Sequence, residues 1–481
     1  MLERIDLAVI ALYFAVSLGV GYWASRQIQS AEDFSVAGGR LKFPVLLGTL
    51  LATAIGASAT MGRAGKAYEV GLIIFFAGFA YAAGLYLFSY LAPIIKRIGV
   101  WTVPEALHLR YGRNFRLLAS VVILFALTGV FSAQLNAFGV VVVTLLPDAG
   151  ISYEQAVVVS AAIMVAYTAL GGLLAVAYTD VMQAVVMVIA IGVLLPLLVV
   201  ADMGGPSVAV AGLAMPAGGW LGGLTVMYLV AIFLIDVPIS MLDVSLWQRT
   251  GAAQSVDHIR KGVRITAGAF VIWSFIVVAL GIYAAELLPD LESTQAGADA
   301  AIPSLVLEYM PPFVKGLCLA ALLAIIMSTA DTVLLIGGTT ISMDILPFVR
   351  DDMDSDRQIR VARWSVLAIG AIGVLISISV RSVFELLLIA FAIYVAALFV
   401  PTMLAFFWKK ATRAGAVSST IAAFISVLYL YYQKFNGNLP EFIEPIFVSQ
   451  LLSLLIMVIV SLMTYREEEA STRLIDLPAR D

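Results

Sequence analysis

Charge is scarce in this chain, and so are the residues that build most catalytic centres. Asp, Glu, Lys and Arg together make up 12% of the 481 residues, whereas 62% are hydrophobic and the mean hydropathy is +1.01. A water-soluble fold of this length needs more polar surface than these residues supply. The composition therefore predicts an all-α integral membrane protein whose solvent is the lipid bilayer.

Several chemical signatures are missing as well. The sequence has no Walker-type glycine loop, no cluster of His and Cys and no nucleophile motif. Its two histidines, His108 and His258, lie in basic loops, and its single cysteine, Cys318, cannot form an intrachain disulfide. We expect no enzymatic activity, no nucleic-acid partner and no obligate protein partner. A gradient, rather than ATP, is the expected source of energy.

Long apolar runs are abundant. Windows of about 20 apolar residues predict thirteen membrane-spanning helices. They cover residues 6–26, 43–64, 71–95, 115–146, 153–171, 174–202, 218–247, 262–287, 312–345, 360–380, 383–408, 414–433 and 445–465.

The basic residues predict the orientation of these spans. Thirteen crossings put the termini on opposite sides, and with the N-terminus outside, all but six of the 28 Lys and Arg fall in cytoplasmic segments. The exceptions are Arg4, Arg63, Lys66, Lys315, Arg381 and Lys434. Because basic residues favour the cytoplasmic side, we expect a multi-pass protein of the cell membrane with its C-terminus in the cytoplasm.

Two spans carry residues that interrupt a helix near mid-membrane. The second span is small and polar over residues 51–60, and the seventh contains Asp236, Val237 and Pro238, where proline lacks an N–H. If these spans each begin a block of five helices, the chain is an inverted five-plus-five repeat with a site at the two breaks. The alternative for the second span is that its Gly and Ala residues only allow close helix packing.

This organisation divides the chain into five segments. They are an N-terminal helix with a cytoplasmic loop (1–42), a first five-helix repeat (43–203), an extracellular linker (204–217), a second five-helix repeat (218–410), and two further helices with a short cytoplasmic tail (411–481).

A polar cluster lies in the middle of the ninth span. Ser328, Asp331 and Thr332 stand at i, i+3 and i+4 and share one helix face, with Thr329 about 100° round the helix. Hydrocarbon solvates such groups poorly, so they indicate an internal site. Oxygen ligands at this depth suit a small hard cation.

Five stretches, in this order, resemble landmarks of the sodium:solute symporters, the family of bacterial proline, pantothenate and sialic acid carriers and of sodium-glucose cotransporters. They are TVPE at 102–105, GGLLAVAYTDVMQ at 171–183, WQR at 247–249, MST at 327–329 and WKK at 408–410. The resemblance covers about residues 5 to 415. It implies the inverted-repeat fold first seen in a bacterial leucine transporter, with one helix before the core and two after it.

The resemblance also implies a sodium site between the broken first core helix and the eighth. Its ligands are the backbone carbonyls of Ala52, Ile55 and Ile325 and the hydroxyls of Ser328 and Thr329. Broken helices free carbonyls that an intact helix uses internally. The alternative for the two hydroxyls is a bond back to their own helix.

Some family members hold a second sodium ion. The matching positions here are Asp180, Ser328, Asp331 and Thr332, with Asp331 standing where a serine is found in the known two-sodium case. Two carboxylates can hold sodium, share a proton or pair with a nearby base, and Asp180 also fits a structural role at a helix end.

The expected solute site lies at the helix breaks. Gly56, Ser58 and Gln134 predict a small, partly polar pocket, and Gln134 matches a position that lines the cavity in relatives. Asp236 resembles the position of a sugar-binding asparagine. A carboxylate there suits a cationic group, or a pair with Arg63 or Lys66.

The sequence thus predicts sodium-driven symport of an amino acid, organic amine or short carboxylate by alternating access, and it disfavours a sugar. Two alternatives stay open: a proton-coupled carrier that uses Asp331 and Asp180, and a sensor or channel built on a transport fold.

Overall fold

The structure is a computed structural model, and it describes residues 2–26, 36–146, 150–170, 172–205, 226–294, 296–349, 354–440, 443–466 and 472–479. Within these ranges the chain is helical, with turns and short loops between helices. Gly171, the predicted linker from residue 206 onward and the first residues of the second repeat lie outside the described residues.

Eleven helices in the described part of the chain are long and apolar enough to cross a membrane, and two shorter apolar helices, Phe43–Ala54 and Tyr153–Ala166, accompany them. One of the eleven, Ser58–Ile98, has 41 residues. That is about twice the length a bilayer requires, and a 3-10 turn at Gly71–Ile74 divides it. The count of thirteen crossings stays a prediction.

The helices of the N-terminal half begin with α1, which precedes the first predicted repeat. In chain order they are α1 (Arg4–Ser25), α2 (Phe43–Ala54), α3 (Arg63–Val70), α4 (Phe75–Ile98), α5 (Val103–Tyr111), α6 (Arg113–Leu145), α7 (Tyr153–Leu170), α8 (Leu173–Ile189) and α9 (Leu195–Asp202).

The C-terminal half holds the second predicted repeat and two further helices. In chain order they are α10 (Val226–Leu242), α11 (Val244–Ala252), α12 (Val256–Leu287), α13 (Ala301–Tyr309), α14 (Val314–Thr339), α15 (Leu346–Val349), α16 (Ser355–Ser379), α17 (Val383–Phe407), α18 (Arg413–Phe435) and α19 (Pro445–Thr464).

The first core helix is broken within the predicted segment. Helix α2 ends at Ala54, and Ile55 adopts φ −90° and ψ 71°, outside the helical region. The chain re-enters a helix through a wide π-helical turn at Ser58–Gly62, which leads into α3. The small side chains here let the interrupted backbone lie close to its neighbours, and the interruption leaves carbonyls outside the helical hydrogen-bond ladder.

The second break lies further along than predicted. Helix α10 runs through Pro238 to Leu242, and the chain breaks at Asp243, with φ −54° and ψ 108°. Pro238 leaves the carbonyl of Leu234 without its helical donor, but the Gln450 side chain donates to that carbonyl at 3.0 Å. The break follows from Asp243, whose carboxylate caps α11 by accepting from the Ser245 N–H at 2.8 Å.

Helix α14 lies at the centre of the bundle. It belongs to the apolar segment Val314–Phe348, whose most apolar stretch is entirely buried inside the protein. It packs against α1, α2, α6, α7, α8 and α16. The polar residues of α14 are therefore surrounded by protein rather than lipid.

Candidate functional site

Oxygen atoms of α2 and α14 meet beside the first helix break. The Ser328 hydroxyl lies 3.1 Å from the carbonyl oxygen of Ala52 and 3.1 Å from that of Ile325, and it donates to both. The hydroxyl thus bonds back to its own helix and across to α2. Three of the five predicted sodium ligands are in direct contact.

The other two predicted ligands flank this contact. Ile55 ends α2 with a backbone that turns out of the helix. The buried Thr329 hydroxyl has no hydrogen-bond partner among the described residues. A Cβ added to Gly56 would lie 2.6 Å from the Thr329 hydroxyl oxygen, so this hydroxyl faces the break. The arrangement brings neutral oxygens together, and it leaves the Thr329 hydroxyl oxygen without a hydrogen-bond partner. That oxygen is therefore free to bind a cation.

Asp180, on α8, belongs to a second buried network. This network meets α14 at Thr332, one turn beyond Ser328. Asp180 Oδ2 accepts from Arg249 Nη2 at 3.2 Å and from the Thr49 hydroxyl at 2.5 Å. Arg249 Nη2 also donates to the Thr332 hydroxyl at 3.1 Å, and Arg249 Nε donates to the Thr49 hydroxyl at 2.9 Å. The guanidinium of Arg249 therefore lies between two predicted ligands of the second sodium ion, Asp180 and Thr332.

Asp331, the other acidic residue of the predicted second site, has a different partner. Its Oδ1 accepts from the Thr168 hydroxyl of α7 at 2.7 Å. Its Oδ2 is buried and has no hydrogen-bond partner in the described part of the chain. Asp180 and Asp331 are close enough to interact electrostatically, but no hydrogen bond connects them to a common group among the described residues.

A cavity opens beside the first helix break. All four predicted solute-site residues line it: Gly56, Ser58, Gln134 and Asp236. The other polar side chains of its lining are Thr53, Arg63, Tyr81, Asp243, Ser245, Thr329, Thr332 and Tyr394. Thr329 thus belongs both to the cavity and to the oxygen cluster.

Two side-chain amides in the middle of α6, Gln134 and Asn136, have separate roles. Gln134 Oε1 accepts from the backbone N–H of Ala57 at 3.3 Å and so satisfies a donor that the break exposes. Asn136 faces away from the cavity: it donates to the Val380 carbonyl at 2.6 Å and accepts from the Ser377 hydroxyl.

The cavity also holds charged residues that the sequence did not identify as solute ligands. Arg63 was considered only as a partner of Asp236, although it is one of the six basic residues outside the cytoplasmic segments, which is the signal that could have found it. Asp243 gave no signal distinguishable from a loop carboxylate. Its Oδ2 accepts from the Tyr81 hydroxyl at 3.1 Å.

The end of the cavity predicted to face outside is covered by α3 and α17. Lys66 Nζ lies 2.8 Å from Glu69 Oε2 and 3.7 Å from Glu385 Oε1, which joins the two helices. From there the lining continues past the break toward Ile123 and Ile336, in the direction of the predicted cytoplasmic side.

Comparison with known proteins decides the family. The family model described as the sodium:solute symporter family matches residues 34–423. The chain belongs to the sodium:solute symporter family. The family resemblance drawn from the sequence is thereby confirmed.

Individual relatives span nearly the whole chain. A sodium/glucose cotransporter of Vibrio parahaemolyticus is 27% identical over 96% of this chain and 91% of its own length. A sodium/proline symporter of Haemophilus influenzae is 26% identical over 88% of this chain and 87% of its own. These relatives carry different solutes, so they support sodium as the coupling ion of this symporter without identifying its solute.

Solved structures show the fold. A Na⁺-coupled sialic acid symporter in a substrate-bound, outward-open state has a TM-score of 0.79 and 22% identity, covering 100% of this chain and 99% of its own. A nucleobase-cation-symport-1 family transporter in a closed conformation has a TM-score of 0.59 and 17% identity, covering 92% of this chain and 98% of its own. The symporter therefore has the predicted inverted-repeat, leucine-transporter-like fold of a multi-pass membrane transporter.

Proposed function

We propose that this symporter imports a small organic solute, an amino acid, organic amine or short carboxylate, together with sodium through alternating access. The observation that carries the proposal is the position of Thr329. Its hydroxyl faces Gly56 beside the Ala52, Ile325 and Ser328 oxygens, and it also lines the cavity. The proposed ion site and the proposed solute site thus share a residue, which is the simplest physical basis for coupling.

Sodium would bind the carbonyls of Ala52, Ile55 and Ile325 and the hydroxyls of Ser328 and Thr329. These ligands are neutral, so the ion is attracted without being trapped by a carboxylate. Because they come from α2 and α14, a bound ion holds the broken helix against the central helix. Stabilising one conformation in this way raises solute affinity, and by linkage the solute tightens sodium to the same degree.

The second sodium site is proposed only for a conformation in which Arg249 has moved. In this structure its guanidinium already donates to Asp180 and Thr332. The Arg249 guanidinium, a cation that belongs to the protein itself, already neutralises Asp180. We therefore propose that one sodium ion is carried per transport cycle while this ion pair is intact.

The proposed orientation follows the basic residues, with the N-terminus outside and the C-terminus in the cytoplasm. The domain boundaries proposed from the sequence pair the broken helices α2/α3 and α10/α11 as the first helices of the two repeats. Because five membrane crossings are proposed for each repeat, the second repeat would enter the membrane in the opposite direction.

A proton-coupled mechanism is the second candidate, and Asp331 favours it. Its carboxylate accepts one hydrogen bond, from Thr168, and its other oxygen has no partner in the described structure. A protonated carboxyl group fits such a site, because an isolated buried charge is costly.

Uptake into proteoliposomes separates the two mechanisms. Radiolabelled solutes are supplied under an inward sodium gradient at fixed pH, and then with choline in place of sodium. We expect uptake only with sodium. Uptake that persists in choline and follows a pH gradient would establish the proton-coupled alternative instead.

A further inference from the structure

Two opposite charges line the cavity without pairing with each other. Arg63, on α3, and Asp236, on α10, are 5% and 7% exposed, and both contribute to the cavity wall. They are near enough to interact electrostatically, yet no salt bridge or hydrogen bond joins them. Buried charges at bilayer depth are expensive and are kept for a function.

The Asp236 carboxylate is available to a ligand. It forms no hydrogen bond or salt bridge with any residue in the described ranges. Asp243, the other acidic residue of the cavity, is already engaged: Oδ1 caps α11 through the Ser245 N–H, and Oδ2 accepts from the Tyr81 hydroxyl. Asp236 is therefore the carboxylate that can accept a cationic group from the solute.

The Arg63 guanidinium is held in place with part of its donor set unused. It stacks over the Phe270 ring at 5.3 Å, and its Nη1 donates to the Ser274 hydroxyl at 3.1 Å. Its Nη2 forms no hydrogen bond with the described residues. A fixed, planar guanidinium is well suited to a carboxylate, since little rotamer entropy is lost when the ligand binds.

We propose that the solute is a small zwitterion, whose cationic nitrogen binds Asp236 and whose carboxylate binds Arg63. This rests on the proposed sodium-coupled symport. A zwitterion neutralises both charges, whereas an amine leaves Arg63 unpaired, a carboxylate leaves Asp236 unpaired and a neutral sugar leaves both. Each charge left unpaired in this mostly apolar cavity opposes binding.

Matched probes test the charge requirement on purified protein. L-Proline is compared with pyrrolidine and cyclopentanecarboxylate, glycine betaine with tetramethylammonium and 3,3-dimethylbutyrate, and β-alanine with ethylamine and propionate; glucose is the uncharged probe. Binding is measured as the thermal shift and by calorimetric titration in sodium and in choline. We expect at least one zwitterion to bind in sodium, and its single-charge analogues to bind about 10- to 100-fold more weakly. The proposal is overturned if no zwitterion binds, or if an analogue or glucose binds as tightly.

Two substitutions assign the charges to their residues. Asp236→Asn should weaken the zwitterion about 10- to 100-fold and leave the carboxylate analogue no weaker than in the wild type. Arg63→Gln should do the reverse and spare the amine analogue. A purely structural role for either residue would weaken all three ligands alike, which would count against the assignment.

Control variants guard against misfolding. Asp257→Asn removes an acidic residue of α12 whose side chain is 72% exposed. Arg264→Gln removes a guanidinium that, like Arg63, stacks on aromatic rings and donates to a serine, Ser89, without lining the cavity. Both should bind the zwitterion as the wild type does. If Arg63→Gln no longer shows the sodium-induced thermal shift, it is misfolded and Arg63→Lys is tested in its place. Arg63→Lys keeps the positive charge and should still prefer the zwitterion to its single-charge analogues.

The outcomes distinguish the zwitterion proposal from the proposed sodium-coupled symport on which it rests. Sodium-driven uptake of glucose alone would support symport and contradict the proposal that the solute is a zwitterion. Binding of a zwitterion that is equally tight in choline would support the charge assignment and refute sodium coupling.

Discussion

Asp180 and Arg249 are fully buried partners that come from opposite halves of the chain. Their closest atoms are 3.2 Å apart, and both side chains are 0% exposed. Thr49 and Thr332 complete the network from α2 and α14. The four residues connect the first and fifth helices of one proposed repeat to the other repeat, so the pair stabilises their relative position.

Breaking this pair one residue at a time should destabilise the protein more than breaking it completely. Asp180→Asn or Arg249→Gln leaves one buried charge without its partner, which costs about 3–5 kcal/mol. The double variant leaves none. Melting temperatures of purified protein should therefore show the double variant to be more stable than either single variant. Additive effects would contradict the account, and Asp257→Asn serves as the exposed control.

The sequence could predict the faces of α14 but not the partners of its residues. Helical spacing places Ser328, Asp331 and Thr332 together. In the structure they contact Ala52, Thr168 and Arg249, which lie 276, 163 and 83 positions away. Periodicity carries no information at that range. The family resemblance predicted the Ala52 contact, whereas nothing in the sequence placed Arg249 beside Asp180.

The broken helices show the same limit for elements. Proline identified the seventh span as interrupted, but a proline inside a helix is tolerated when another donor reaches the carbonyl it leaves free. Gln450 of α19 does so. The break therefore moves to Asp243, which caps the following helix. The first break was predicted within 51–60 because, apart from Leu51 and Ile55, that stretch carries only small or hydroxyl-bearing side chains.

Gly56 controls how closely α2 approaches α14. A Cβ there would lie 2.6 Å from the Thr329 hydroxyl oxygen, too close for either group to keep its position. Gly56→Ala should therefore displace Thr329 and weaken sodium binding about tenfold, equivalent to about 1.4 kcal/mol. The sodium concentration at half-maximal thermal stabilisation measures this. Gly268→Ala, on α12 with nothing within 4 Å of its added carbon, should have no effect.

Asp299 fixes the loop before α13 against the helices that cover the cavity. Its Oδ2 accepts from the N–H of Val383, at the start of α17, at 2.9 Å. Its Oδ1 would lie 2.8 Å from a Cβ at Gly65 in α3. Burial raises the pKa of Asp299 from 3.8 to about 7; the Val383 N–H lowers it, and Glu69 and Glu385 raise it further.

Stability should therefore fall with rising pH in part because of Asp299. The folded protein holds this proton up to about pH 7, whereas the unfolded chain releases it near pH 3.8. Since the folded state binds more protons in that window, its free energy of unfolding decreases as pH rises through it. The melting temperature of the Asp299→Asn variant should therefore change less between pH 3.8 and about pH 7 than that of the wild type. An unchanged slope, equal to that of the exposed control Glu292→Gln, would contradict this.

At the scale of the whole molecule, composition predicted the membrane class, and the five family-like stretches predicted the family and the fold. Apolar runs predicted the helical membrane class, and the fold comparison confirmed the inverted repeat. The sequence could also place the four solute-site residues near the breaks. The sequence also offered Arg63 as a partner for Asp236, but only the tertiary structure shows that both side chains line the cavity without forming a salt bridge.

Orientation can be measured with single cysteines, because the native Cys318 is 0% exposed. Glu292→Cys lies in the loop predicted to be outside, and Asp257→Cys in a segment predicted to be cytoplasmic. A membrane-impermeant maleimide added to intact cells should label the first and reach the second only after permeabilisation. The reverse pattern would invert the proposed topology.

The central claim is that one sodium ion binds between α2 and α14 at the Ser328 and Thr329 hydroxyls. Equilibrium binding of radioactive sodium to purified protein tests it most directly. We predict saturable binding of about one ion per chain in the wild type and in the control Ser342→Ala, whose hydroxyl bonds to Thr339 within the same helical segment. Ser328→Ala combined with Thr329→Ala should abolish binding, and equal binding by all three proteins would contradict the account.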